Sequence, residues 1–216
     1  MHGPLEMLRA PEAAVVARVD VRDVNRVIDE RILPEGFFAV EDGRRVWAPA
    51  CTLIDFYFAS AKRLTAEERS FAIETVGKRL YESRALSFAE LVHNDWTVRH
   101  EFLTIDLSRF FKNAKEGMDR LVAARDMVVC DPEILSGTPS ICGTRIPVHD
   151  IGAAVAAGVR MEELLDSYPA LNREKIELAA IYTAANPSRG RPRMTEIPKG
   201  ATIITDRWVP LRRKAE

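Results

Sequence analysis

The chain has 216 residues, with 31 basic and 32 acidic side chains and a formal net charge of −1. A hydrophobic content of 47% and a charged content of 29% are ordinary for a globular protein, and no apolar run approaches the roughly 20 residues of a membrane span. The N-terminus has no basic segment followed by an apolar one, so we expect no secretory signal. The three scattered cysteines indicate a reducing, cytoplasmic environment.

Basic charge is concentrated at the C-terminus. Residues 187–216 carry 8 basic and 3 acidic side chains, whereas residues 1–60 carry 7 and 10 and residues 131–186 carry 4 and 8. A cluster of like charges at a chain end is typical of an interaction tail. The C-terminal segment is therefore the strongest electrostatic feature of the sequence.

Two short helices are predicted within residues 11–33. Pro11 is accepted in the first turn of a helix, and after Asp20, a good N-cap, apolar residues recur at helical spacing until Pro34. Two short helices with a tight connection are typical of a helix-turn-helix. Residues 37–47 then indicate a β-hairpin, because an Asp-Gly pair separates two β-prone runs. The sequence predicts a winged helix-turn-helix.

The second predicted helix offers groups that can contact DNA. Two arginines and an asparagine would face outward together, and these side chains pair well with guanine and adenine in the major groove. Arginines at the end of the first helix and on the hairpin could hold phosphates. The alternative is a solvated helix face, because neighbouring carboxylates dilute the positive charge. The candidate DNA-binding residues are Arg18, Arg22, Asn25, Arg26, Arg44 and Arg45.

A helical extension is predicted to follow this unit. Thr65 and Glu68 form a capping box that begins a helix, and a strand at 102–106 precedes a helix over 107–125. Asp131-Pro132 breaks the chain shortly after residue 125. We therefore divide the chain into an N-terminal unit over residues 1–125, a second unit over 126–186 and a basic tail over 187–216.

The second unit carries several punctuated motifs. Gly-Thr-Arg-Ile-Pro-Val at 143–148 is followed by Gly158, an acidic stretch at 162–165, Tyr-Pro-Ala-Leu at 168–171 and a helix that begins after Asn172. In this order the motifs resemble the domain-of-unknown-function family numbered 433 over about residues 126–186. The resemblance implies a small trihelical, helix-turn-helix-like domain.

The whole chain resembles the longer VapB-type antitoxins, which place an extra helix-turn-helix before this domain. The resemblance implies an antitoxin that binds and neutralises a PIN-like ribonuclease toxin. It also implies that the protein represses its own operator DNA, as a homodimer or in a higher toxin–antitoxin assembly.

The last helix of the second unit is a competing DNA-reading helix. Its expected outward residues include Arg173, Glu174 and Glu177, and carboxylates would repel phosphate. We therefore expect residues 131–186 to serve protein contact or dimerisation, although the sequence leaves open which unit contacts DNA.

The tail has a clear partner chemistry within this hypothesis. A PIN-like nuclease would hold a divalent cation in a cluster of carboxylates, and guanidinium groups can bind carboxylates bidentately. Glycine and proline between the arginines keep the backbone extended, and a tryptophan would anchor the segment. A disordered tail and phosphate binding are the alternatives. The candidate toxin-binding residues are Arg189, Arg191, Arg193 and Trp208.

Catalytic motifs were not found. The four histidines are scattered, and no nucleophile elbow, phosphate loop or paired-cysteine metal motif is present. We expect no enzyme activity, catalytic residue, metal or cofactor, and no membrane partner. The sequence thus predicts a mainly α protein with small β-hairpins, acting as an antitoxin. The alternatives are a stand-alone helix-turn-helix transcriptional regulator and a structural interaction module.

Overall fold

A computed structural model describes residues 6–41, 43–100 and 102–187. Helices dominate these ranges and small antiparallel sheets complete them, so the predicted fold class is confirmed at this level. The helices are α1 Ala10–Ala17, α2 Val21–Asp29, α3 Cys51–Ala59, α4 Ala66–Glu82, α5 Phe88–Leu91, α6 Ser108–Asp126, α7 Val148–Ala156, α8 Met161–Ser167 and α9 Arg173–Ala185. The strands are β1 Met7–Arg9, β2 Phe38–Ala39, β3 Arg45–Trp47, β4 Thr97–His100, β5 Leu103–Asp106, β6 Val128–Val129 and β7 Ser140–Ile141.

The first sheet is formed by strands from both sides of the α1–α2 segment, since β1 precedes these helices in the chain and β2 and β3 follow them. Its strand order is β1-β3-β2, with Met7 opposite Trp47 and Phe38 opposite Val46. The predicted hairpin is therefore present, but β1, which the sequence analysis missed, supplies a third strand. The strand is only three residues long and ends in the exposed Arg9, so its partner 36 or more residues away is what defines it as a strand.

Helices α1 and α2 each end near a residue with left-handed backbone conformation. Arg18 ends α1 in the left-handed region, with φ of 55°. The sequence predicted α2 to continue to Leu33, but it ends at Asp29 because Arg31 takes a left-handed φ of 51°. Asp20 has the extended backbone of an N-cap, yet its side chain makes no capping hydrogen bond, so the predicted cap is geometric only.

The larger hydrophobic core lies among α1, α3, α4 and α6. Trp96 stacks on Phe111 with ring centroids 4.0 Å apart. Gly117 lets α6 approach α1, since a Cβ there would lie 2.8 Å from the carbonyl oxygen of Val16. Thr65 caps α4 as predicted and accepts a hydrogen bond from the Glu68 amide at 3.2 Å.

A smaller core lies among α7, α8 and α9, beside the β6–β7 pair. Asn172 caps α9 as predicted and accepts a hydrogen bond from the Lys175 amide at 2.8 Å. A Cβ on Gly152 would lie 2.1 Å from Thr183 Oγ1, so α7 and α9 cross at close range. The buried members of this core are Ile141, Val148, Ile151, Leu164, Leu171, Ile176 and Ala179.

Helix α9 also packs against the N-terminal part of the chain. Its Ala185 is buried in the larger core, and Arg120 of α6 forms an ion pair with Glu177 at 2.8 Å. Glu177, which is predicted to face outward, is 43% exposed at its side chain, and its carboxylate pairs with Arg120 of α6. In the described ranges, no helix combines the length and apolar character that crossing a membrane requires.

Candidate nucleic-acid interface

Helix α2 separates apolar from polar side chains. Val24, Val27 and Ile28 are buried at the i, i+3, i+4 spacing of a helix face. Arg22 and Arg26 are exposed on the opposite side, and the half-buried Asn25 lies between the two faces. The three predicted base-contacting residues therefore share the solvent side of one helix, with Asn25 at its margin.

Two predicted DNA-contacting arginines bind carboxylates at the end of α2. Arg26 Nε donates to Glu30 Oε1 at 2.9 Å, and Arg44 Nη2 donates to Asp29 Oδ1 at 2.6 Å. The second bond ties the hairpin to α2. Exposed ion pairs of this kind contribute about 1 kcal/mol or less, so phosphate oxygens can compete for both guanidinium groups.

Arg22 and Arg45 are two further exposed arginines of this surface. Neither forms an ion pair among residues 6–41, 43–100 and 102–187. Arg45 lies in β3, exposed, and is paired in register with Arg9 of β1. The structure thus places cations both on α2 and on the neighbouring sheet.

Arg18 is directed toward α6. Its guanidinium donates to Glu116 Oε2 at 2.7 Å. The cavity beside it is lined by the carboxylates of Asp20, Asp23 and Asp55. Burial raises the pKa of Asp55, against the opposing effects of the Asn113 amide and the Arg18 charge. This acidic setting does not favour phosphate, so Arg18 is the least suitable of the six candidates.

Arg9 is a cation of this region that the sequence analysis missed. It donates to Glu12 at 2.9 Å, and Arg125 of α6 donates to the same carboxylate at 3.0 Å. Burial acts to raise the pKa of Glu12, but the bonds from Arg9 and Arg125 outweigh it and lower that pKa below its usual value. Glu12 at the third position of α1 was the available signal, since it completes a capping box.

The root of the C-terminal tail is fixed beside α1. Asn186 accepts a hydrogen bond from Arg9 Nη2 and donates to the Tyr182 carbonyl oxygen at 3.0 Å. The predicted toxin-binding residues lie beyond this point, outside the described residues. They are Arg189, Arg191, Arg193 and Trp208.

No metal centre can be assembled from the described residues, in which no group of three or more histidine, cysteine or acidic side chains is suitably placed. Cys51 is buried, and burial raises the pKa of its thiol, so it is not a reactive nucleophile. Cys130 and Cys142 are free thiols on the surface.

Comparisons with known proteins identify relatives without an assigned activity. Residues 128–183 match the family described as "Protein of unknown function (DUF433)". The chain is 56% identical over 215 residues to "Uncharacterized protein y4eO" of Sinorhizobium fredii, an alignment that covers 99% of this chain and 97% of y4eO. No solved structure matches the chain.

Proposed function

The chain belongs to the protein family of y4eO, and we propose that it is an operator-binding antitoxin. In this proposal the N-terminal unit binds DNA as a winged helix-turn-helix and represses the operator, while the C-terminal part neutralises a PIN-like ribonuclease toxin. No catalytic residue or cofactor is assigned.

One observation carries the DNA-binding half of the proposal. Helices α1 and α2 are joined by three residues, Arg18 to Asp20, and a β-hairpin tied to α2 follows. Short helices with a connection of three or four residues form the helix-turn-helix, in which the second helix enters the major groove. Helix α2 would be the reading helix, with Arg22 and Arg26 toward the bases and the hairpin as the wing.

Charge explains how the surface would bind. Arg22 and Arg45 are available at once, whereas Arg26 and Arg44 would exchange their carboxylates for DNA. Residues 1–60 nevertheless carry more acidic than basic side chains. Because affinity rises with the number of phosphates neutralised, we expect a homodimer that presents two such surfaces to two half-sites.

The DNA-binding test starts from a library of random duplexes. Selection with the full chain should enrich a sequence with two related half-sites. The Arg22→Ala/Arg26→Ala variant should lose at least about tenfold in affinity, since one good arginine–base contact contributes about 1–3 kcal/mol. Arg63→Ala and Arg160→Ala, exposed elsewhere, are the matched controls. Absence of enrichment, or an equal loss in the controls, contradicts the proposal.

The toxin-neutralising half of the proposal derives from the family resemblance of residues 126–186 and the basic tail. The tail departs next to α1, because Asn186 is held by Arg9. It could therefore connect toxin binding with operator binding. Arg189, Arg191 and Arg193 would bind the metal-coordinating carboxylates of the toxin, and Trp208 would anchor the segment.

Co-expression with the adjacent gene tests this half. The neighbour alone should arrest growth, and the full chain should restore it. A variant truncated after Asn186 should bind operator DNA but fail to restore growth. If the neighbour is harmless while DNA binding is specific, the protein is a stand-alone transcriptional regulator. If DNA selection also fails, a structural interaction module is the better description.

A further inference from the structure

We propose that the outer face of α4 is a self-complementary surface that joins two copies of this chain in antiparallel orientation. The opposite face of α4 packs into the core through its buried residues Ala72, Ile73, Val76 and Leu80. Among the residues that the structure describes, the outward face is contacted at its margins by His100 of β4, by Arg84 and by the loop over residues 34–37.

Four outward residues form what we call the α4 stripe: Phe71, Glu74, Lys78 and Tyr81. Their spacings of three, four and three residues follow the seam of a coiled coil, so they lie in line along the helix. Glu74 and Lys78 are exposed, Tyr81 is 51% exposed and Phe71 is half-buried. The stripe reads aromatic, acid, base, aromatic in one direction. In the opposite direction it reads aromatic, base, acid, aromatic, so aromatic residues still stand at the ends and the two charges change places.

This order makes the stripe complementary to itself. An antiparallel α4 that packs on the outward face, with the two-fold axis at the level of Val76 along the helix, places Phe71 opposite the partner's Tyr81 and Glu74 opposite the partner's Lys78. Two-fold symmetry repeats each contact, as in every isologous interface. The crossing thus gives two aromatic contacts at the ends and two ion pairs between them.

The charged pair is free to make this contact. Glu74 and Lys78 are separated by four residues, a spacing that often gives an ion pair within a helix. Within the described ranges neither forms one. Both side chains instead line an open groove of about 370 Å³, whose other lining residues are Pro34, Glu35, Phe37, Gly77, Tyr81 and Glu82.

Both aromatic rings are held in place. The Phe71 ring lies 4.1 Å from the His100 ring between centroids, and the Arg84 guanidinium lies 4.3 Å above the Tyr81 ring. Rings that are already ordered lose little conformational freedom on binding. A second copy of the chain is therefore the occupant that we assign to this face, because its stripe offers the matching order of aromatic and charged side chains.

Charge reversal tests the pairing. The full chain should be a dimer by sedimentation velocity without DNA. Glu74→Lys and Lys78→Glu should each weaken self-association by about tenfold or more, because each replaces two ion pairs with two repulsions. An equimolar mixture of the two variants should form a heterodimer, since every lysine then meets a glutamate. Lys112→Glu and Glu133→Lys, both exposed, are the controls, and circular dichroism checks the fold.

The proposal is overturned if the wild-type chain is a monomer, if the single reversals remain dimeric, or if their mixture does not associate. The Glu74→Lys/Lys78→Glu double variant gives an independent readout and should dimerise again. Since DNA is absent throughout, these outcomes are separate from those of the DNA-binding test.

Discussion

The α1–α2 region and the α7–α9 region both combine short helices with a small sheet, but they use the last helix differently. Helix α2 buries one narrow apolar face and leaves Arg22 and Arg26 in solvent. Helix α9 packs against α7 on one side and against α1 and α6 on another. Similar local patterns thus give a surface helix in one region and a connecting helix in the other.

The difference shows that packing neighbours decide what a helix can contact. Arg120 of α6 forms an ion pair with Glu177 of α9. Arg173 of α9 forms another with Glu162 of α8, at 3.7 Å, within the second unit. In the described residues, helix α2 is joined to another element by the Arg44–Asp29 ion pair near its C-terminal end, and Arg22 and Arg26 stay exposed. Of the two helices, α2 is therefore the one that we propose as the DNA-contacting helix.

The largest expected effect tests whether the two cores unfold together. Gly117→Ala should lower the free energy of unfolding by about 2 kcal/mol, because the new methyl group would press on the Val16 backbone. Gly152→Ala should have a similar cost, because it would clash with Thr183. Since α9 packs on both cores, we expect each change to shift one shared transition.

Denaturation monitored by tryptophan fluorescence measures this shift. Trp47 and Trp96 are both buried in the larger core, and a Trp208→Phe background removes the remaining tryptophan. Ala153→Gly, at an exposed position on α7, is the control for helix propensity. If Gly152→Ala leaves the fluorescence transition unchanged, the two cores unfold independently.

A smaller effect concerns the carboxylate that joins α1 to α6. Glu12→Gln should cost about 1 kcal/mol at neutral pH, because Arg9 and Arg125 lose a charged acceptor. Bonds from these arginines lower the pKa of Glu12 in the folded state, so its stabilisation is complete above the unfolded pKa of about 4.5. The stabilisation is lost as the pH falls through the lowered value.

Thermal melting at several pH values checks this dependence. The difference in Tm between wild type and Glu12→Gln should be largest at neutral pH and should shrink toward acid. Glu133→Gln, an exposed substitution, should show no such trend. A difference that is constant with pH would contradict the assigned role of the Glu12 charge.

The smallest expected effect compares the carboxylates that pair with arginines near α2 with the carboxylate that pairs with Arg173 of α9. Asp29→Asn/Glu30→Gln should release Arg44 and Arg26 and tighten DNA binding by about threefold, which corresponds to about 0.3 kcal/mol for each of the two exposed ion pairs. Glu162→Gln, which releases Arg173 in the C-terminal unit, should leave the affinity unchanged. Fluorescence anisotropy with the selected duplex measures both variants, and an equal gain from Glu162→Gln would point to α9 as a DNA-contacting helix.

Signals that act over a few residues were sufficient for much of the fold. The capping box of Thr65 and Glu68, the cap at Asn172 and the hairpin within 37–47 were all predictable, because each depends on side chains and backbone groups close in sequence. The solvent side of α2 was predictable for the same reason, since it follows from helical spacing alone.

Other features required the tertiary structure. Strand β4 and the third strand β1 were missed, because a short strand is defined by a partner elsewhere in the chain. The partners of Arg18 and Glu177 were also beyond prediction, since Glu116 and Arg120 lie on α6, far away in sequence.

The amino-acid sequence by itself thus determined most of the helices, the caps at Thr65 and Asn172 and the arginines that α2 presents, because local periodicity and capping encode them. Only the tertiary structure decided which of these arginines form ion pairs in the described part of the chain and which helix packs against several others. Those outcomes depend on ion pairs and close helix crossings between residues that local sequence patterns do not bring together.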